Sequence, residues 1–127
     1  SYTDFDIKVK TVKADAENVS VVAEVKNTGK VTGKEVVEVY FSAPEGSLDK
    51  PYQELAAYQK VEVKAGETKE VTLSFDTDEM ASYDENNEQY VLEDGTYKIR
   101  VGNSSRNTHV AGVINLNEDT ITEQLSN

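Results

Sequence analysis

The chain has 127 residues, 13 Lys and Arg against 24 Asp and Glu, a formal net charge of −11, and no cysteine. That length fits one domain, which buries roughly two-thirds of its unfolded surface and so forms a core without staples. The composition excludes a thiol nucleophile, a disulfide framework and Cys-ligated zinc, and the acidic balance argues against nucleic acid or an anionic membrane as partner, since both recruit cations.

Apolar residues recur with period two along most of the chain, the signature of strands buried on one face. Phe5, Ile7 and Val9 alternate with charged neighbours, and Val19, Val21, Ala23 and Val25 share one face of the next segment. Asn27-Thr28-Gly29 closes that second strand. Val37, Val39 and Phe41 share a face of the third, which Ala43-Pro44-Glu45-Gly46 ends. Val61 and Val63 follow Leu55 in the same parity, and Ala65-Gly66 separates them from Val71, Leu73 and Phe75, between which Thr72 and Ser74 point outward. One short helical piece is predicted over residues 78–83. Asp94-Gly95 is the best hairpin signal, joining Leu92 to Tyr97, Ile99 and Val101. In the last segment His109, Ala111, Val113 and Asn115 take one parity and Val110, Ile114 and Leu116 the other, as in a strand covered on both sides. Residues 117–127 are polar, with only Ile121 and Leu125 to bury, and read as a linker or a short docked helix. About seven strands punctuated by turn residues spell an all-β fold, an antiparallel immunoglobulin-like sandwich. A parallel sheet would need helices between its strands, and none is predicted.

The stretch Gly29-Lys30-Val31-Thr32-Gly33-Lys34 invites a phosphate-loop reading, but that loop needs G-x-x-x-x-G-K-[ST] running into a helix. The glycines here are too close, and residues 36–41 are β-branched and aromatic, so a strand follows; glycine at the bends supplies positive φ. Asp76, Asp78, Glu79, Asp84, Glu85, Glu88, Glu93 and Asp94 crowd into nineteen residues. An EF-hand fails, because Met80 and Ala81 stand where an oxygen ligand and a glycine belong; an irregular calcium site and a solvated acidic loop both fit. A glycosidase pair of carboxylates cannot be picked by spacing alone among so many acids. His109, the single histidine, reads as an ordinary strand residue, since neither a thiol nor a G-x-S-x-G elbow accompanies it. Asn18-Val19-Ser20 and Asn103-Ser104-Ser105 match the glycosylation sequon, which matters only in a secretory eukaryotic context. Tyr97, two residues after a glycine at a strand start, suits a tyrosine corner. Tyr52, Tyr58, Tyr83 and Tyr90 are the candidates for an interface. No catalytic, cofactor-binding or metal-ligating residue is assigned. The apolar runs are too short to span a bilayer, no signal peptide is present, and the chain opens at Ser1, so processing or excision from a longer polypeptide is expected. The compartment is not readable from the sequence; a soluble, bacterial-type protein, cytoplasmic or secreted, is expected.

Several segments together resemble one family. Ser1-Tyr2-Thr3-x-Phe5 opens it. Val25-Lys26-Asn27-Thr28-Gly29-Lys30 then runs on to Gly33-Lys34-Glu35-Val36-Val37-Glu38-Val39-Tyr40. Pro51-x-x-Glu54-Leu55, Tyr58-x-Lys60-Val61, Ala65-Gly66-Glu67-Thr68 and Ser82-Tyr83-Asp84 follow in order. Gly95-Thr96-Tyr97 and Val101-Gly102-Asn103-Ser104-Ser105-Arg106 complete the set. This order resembles the fibronectin type III-like domain that ends many glycoside hydrolase family 3 enzymes, with Ala65, Tyr58 and Asp94 departing mildly from its pattern. The resemblance covers roughly residues 1–116 and implies a fibronectin type III-like sandwich there, with a polar tail or linker over 117–127. The extra residues are expected to lead onward, as in family members with reversed domain order. In that family the nucleophilic Asp and the acid/base Glu lie in two other domains, so the resemblance carries over no catalytic residue. It implies a non-catalytic brace whose partners are the catalytic domains of the same β-glucosidase-like enzyme, which hydrolyse terminal β-glucosides. The alternative is a free-standing module binding protein or glycan, with weak glycan contact. A calcium-stabilised adhesion domain is a third reading.

Overall fold

The strands follow the alternation. A computed structural model describes residues 4–44, 53–117 and 120–125, with backbone alone at 83, 84, 117 and 120–125. In chain order come β1 (Phe5–Ala14), β2 (Asn18–Asn27), β3 (Gly33–Ser42), β4 (Glu54–Val63) and β5 (Thr68–Asp76). A 3-10 turn (Thr77–Met80) leads to β6 (Ser82–Asp84), β7 (Gln89–Val91), β8 (Gly95–Ser104), β9 (Asn107–Asn117) and β10 (Thr120–Leu125). One sheet has the order β1-β2-β5, the other β10-β9-β8-β3-β4, and β6-β7 form a separate ribbon. Every described pairing is antiparallel. The chain changes sheet between β2 and β3, between β4 and β5, and between β5 and β8, so the two layers share one core, as the strand pattern predicts.

Val19, Val21, Ala23 and Val25 of β2 are fully buried against Val37, Val39 and Phe41 of β3, Val71, Leu73 and Phe75 of β5, and Tyr97, Ile99 and Val101 of β8. β-branched side chains suit this pleated interior, and burying each Val contributes on the order of 1.5–3 kcal/mol. Phe41 and Phe75 stack across the layers with centroids 6.4 Å apart.

One end of the sandwich is pinned by Asn27, whose side chain is wholly buried. Its Nδ2 donates to the Val31 and Val63 carbonyls, both at 2.8 Å, while Oδ1 accepts from the Gly29 amide at 2.8 Å. Its backbone N–H donates to the Glu67 carbonyl and its carbonyl accepts from the Gly66 amide, each at 2.9 Å. The Asn-Thr-Gly and Ala-Gly-Glu-Thr turns are therefore one hydrogen-bonded unit, and the glycines of the Gly29–Lys34 stretch serve the backbone: Gly33 starts a strand. The expected positive φ at that bend is not found. Among the described glycines it belongs to Gly66 and Gly95, because the Asn27 side chain, not glycine, shapes the loop.

Two strand expectations change at β-bulges, where one extra residue reverses the parity, and a third bulge sits in β1. In β1 Phe5, Ile7 and Val9 pack against the core as expected; the register slips at Lys10, and Val12 continues the inward face beyond it. In β4 Ala57 pairs with Val39 but Leu55 with Tyr40, so Ala56 is extra and Leu55 turns away from the core face of Val61 and Val63. In β9 Val110 pairs with Arg100 but Gly112 with Ile99, so Ala111 is extra, and Val110 and Ile114 lie on opposite faces. Three other elements differ. Asp94-Gly95 does not close a hairpin, since β7 pairs with β6 and β8 with β3 and β9. The helical piece is the 3-10 turn Thr77–Met80, followed by a strand at Ser82. The segment read as a linker or short helix carries β10, which adds antiparallel to β9 and lies against β1. Backbone pairing to an open edge needs no apolar pattern of its own. The side chains of Ile121 and Leu125 lie outside the described residues, as do Glu45 and Gly46 of the expected turn and the opening residues 1–3.

Candidate functional site

The two outward faces of the sandwich differ. On the three-stranded sheet Glu24 of β2 sits directly opposite Glu70 of β5, a repulsive pair. The bulge residue Lys10 answers both, with Nζ 3.1 Å from Glu24 and 3.5 Å from Glu70. Its hydrogen bond and charge interaction with Glu24, then those with Glu70, hold the ammonium pKa above its usual value. Thr72 and Ser74 continue this exposed polar surface.

The five-stranded sheet carries a different outer face. The register puts Tyr58 of β4 beside Glu38 of β3, and Leu55 beside Tyr40. Tyr40 in turn pairs with Arg100 of β8, and Arg100 with Val110 of β9. Leu55 is 47% exposed and Tyr58 67% exposed. Tyr40 is buried although it stands apart from the inter-sheet core cluster; its hydroxyl donates to Glu38 Oε1 at 3.1 Å. Desolvation, then the Glu38 carboxylate, pushes its phenol pKa up. Arg100 Nε donates to Ser42 Oγ at 3.1 Å, which lays the guanidinium along the same face. The result is an apolar stripe crossing the sheet beside an anchored cation.

Of the tyrosines singled out from the sequence, Tyr58 stands on this face. Tyr90 is 75% exposed on the β6-β7 ribbon, where its backbone pairs with that of Tyr83. The Tyr83 side chain and the whole of Tyr52 lie outside the described residues. Leu55 was not among the candidates, because its unbroken parity with Val61 and Val63 in the sequence points it to the core. Tyr97 does form the corner: it is 1% exposed and its hydroxyl donates to the Glu93 carbonyl at 2.6 Å. Burial, then the Glu93 and Asp94 charges, raises its pKa to about 12. His109 is exposed on β9, its backbone opposite Val101. Among the described residues no three His, Asp or Glu side chains gather as a metal site would require, and no helix is long and apolar enough to cross a membrane.

With this geometry in hand the likeness to known proteins is specific. The fibronectin type III-like domain profile matches residues 35–105. β-Glucosidase A of Butyrivibrio fibrisolvens is 40% identical over 109 residues, covering 81% of this chain and 13% of that protein. Probable β-glucosidase M of Neosartorya fischeri is 39% identical over 100 residues, covering 79% of this chain and 12% of that protein. Among solved structures, β-glucosidase 3B from Thermotoga neapolitana in complex with α-D-glucose superposes with a TM-score of 0.84 at 39% identity, over 98% of this chain and 17% of that one. The Kluyveromyces marxianus β-glucosidase superposes with a TM-score of 0.82 at 28% identity, over 99% of this chain and 14% of that one. The chain thus spans 12–17% of the length of these relatives. By sequence profile, by identity and by superposition, this chain belongs to the fibronectin type III-like domain family.

Proposed function

We propose that the chain is a non-catalytic module of a family 3 glycoside hydrolase of the β-glucosidase type, bracing the catalytic domains that hydrolyse terminal β-glucosides. The observation that carries this reading is the asymmetry of coverage: nearly all of this chain aligns with the Thermotoga enzyme, and only 17% of that enzyme aligns with this chain. The remainder of such an enzyme is where its chemistry resides. A domain tethered to it gains a high effective concentration, so a modest surface suffices for docking. The exposed rings of Tyr58 and Tyr90 favour a second reading, a free-standing glycan- or protein-binding module. A stacking platform wants coplanar rings on one surface, however, and these two belong to different sheets.

Two measurements separate the readings. The isolated chain is expected to turn over no aryl β-glucoside and to release no heat with cello-oligosaccharides; turnover would overturn the non-catalytic reading, and a binding isotherm would support the second. Removing these residues from the enzyme that carries them is expected to lower the melting temperature of the remainder. An unchanged melting temperature would refute the brace.

A further inference from the structure

We infer that the module docks through one face only, the outer surface of the five-stranded sheet around Leu55, Tyr58, Tyr40, Arg100 and Val110, and that what covers it is the remainder of its own enzyme. This rests on the brace reading above and deepens it. Leu55 carries the first part of the argument. Unbroken alternation in β4 would put it on the core side with Val61 and Val63, yet the extra residue Ala56 turns it outward, where it is 47% exposed. A bulge that moves a leucine from core to surface makes sense where that surface is covered, because bulges re-aim side chains for contacts beyond the sheet. The second part is local continuity. Leu55, Tyr40, Arg100 and Val110 occupy one row across four strands, with Tyr58 in the adjoining row. An aromatic and aliphatic centre with an arginine held along it is the composition of an interface core. The third part is exclusion. The opposite face neutralises its own charges through Lys10, Glu24 and Glu70 and presents hydroxyls beyond them, so it is already at home in water.

The occupant follows from what lies outside this chain. Its relatives continue for several times its length, as 12–17% coverage requires. A tethered surface of about 600–1,500 Å² is the usual size for a contact between domains of one chain. The covering patch is expected to be apolar.

The absence of cysteine makes the test direct. Tyr58→Cys reports on the proposed face and Thr72→Cys on the opposite one; both sites are exposed and point away from the core. Maleimide labelling of each site, counted on its own peptide by mass spectrometry, is compared between the isolated chain and the full enzyme. Docking through the five-stranded sheet slows position 58 by roughly tenfold or more in the enzyme and leaves position 72 within about twofold. Protection at 72, or equal labelling at both, overturns the choice of face. The brace reading is judged separately by the deletion experiment, so the two can fail independently.

Discussion

Replacing Tyr97 with Phe removes one hydroxyl from the corner and leaves the ring in place. That hydroxyl donates to the Glu93 carbonyl at 2.6 Å from a side chain 1% exposed. Losing such a bond at a buried site costs about 1–2 kcal/mol at neutral pH. The phenol adds a pH dependence whose sign is fixed. Its folded pKa is raised to about 12, above the unfolded value, so the neutral form is the one the fold favours. The contribution is complete below about pH 10 and is lost as pH rises toward the folded pKa, because the unfolded chain ionises first. The rise from 10 to about 12 corresponds to a ceiling of about 2.7 kcal/mol, and because the hydroxyl's bond is only part-buried about 1–2 kcal/mol is expected. Urea unfolding of both proteins at about pH 8 and about pH 11 measures the difference, which should shrink by about 1 kcal/mol over that interval. With no cysteine present, thiol chemistry does not complicate the alkaline arm. A gap that stays constant with pH, or no gap at the lower pH, would refute the corner as described.

Asn27→Ala removes three side-chain hydrogen bonds at the sandwich end and should cost about 2–4 kcal/mol by urea unfolding. Gly102→Ala should cost about 2 kcal/mol or more, because its Cβ would collide with the Asn107 carbonyl. Gly66→Ala meets open space at φ 77° and should cost only about 1–2 kcal/mol of backbone strain, so the ordering of these two glycines checks the geometry. Glu88→Gly, at φ 51° in the β6-β7 turn, should raise stability by about 1 kcal/mol, read as a higher melting temperature.

The layers were legible in the sequence wherever alternation ran unbroken. Val19 to Val25 and Val71 to Phe75 lie as period two requires, and the Asn-Thr-Gly turn ends β2 where its chemistry says. The bulges at Lys10, Ala56 and Ala111 were not legible, since an extra residue in one strand is defined only against its partner. β10 and the β6-β7 ribbon were missed for a related reason. Both are held by backbone pairing and carry mostly polar side chains, so they lack the apolar period that marks a strand. The same physics hid part of the candidate site. Tyr58 could be named from the sequence, but Leu55 joins it only because the Ala56 bulge reverses its direction. The row Leu55–Tyr40–Arg100–Val110 spans four strands and has no linear motif.

Thermal unfolding of the enzyme that carries this chain, with and without Leu55→Arg and Tyr58→Arg together, tests the docking face most directly when the isolated chain is measured alongside. Both residues are exposed in the isolated module, so the pair should change its stability by no more than about 1 kcal/mol. Docking through this face predicts a clear fall in the melting temperature of the whole enzyme and almost none in the module. Unchanged melting of the whole enzyme, with the module equally unaffected, would contradict it.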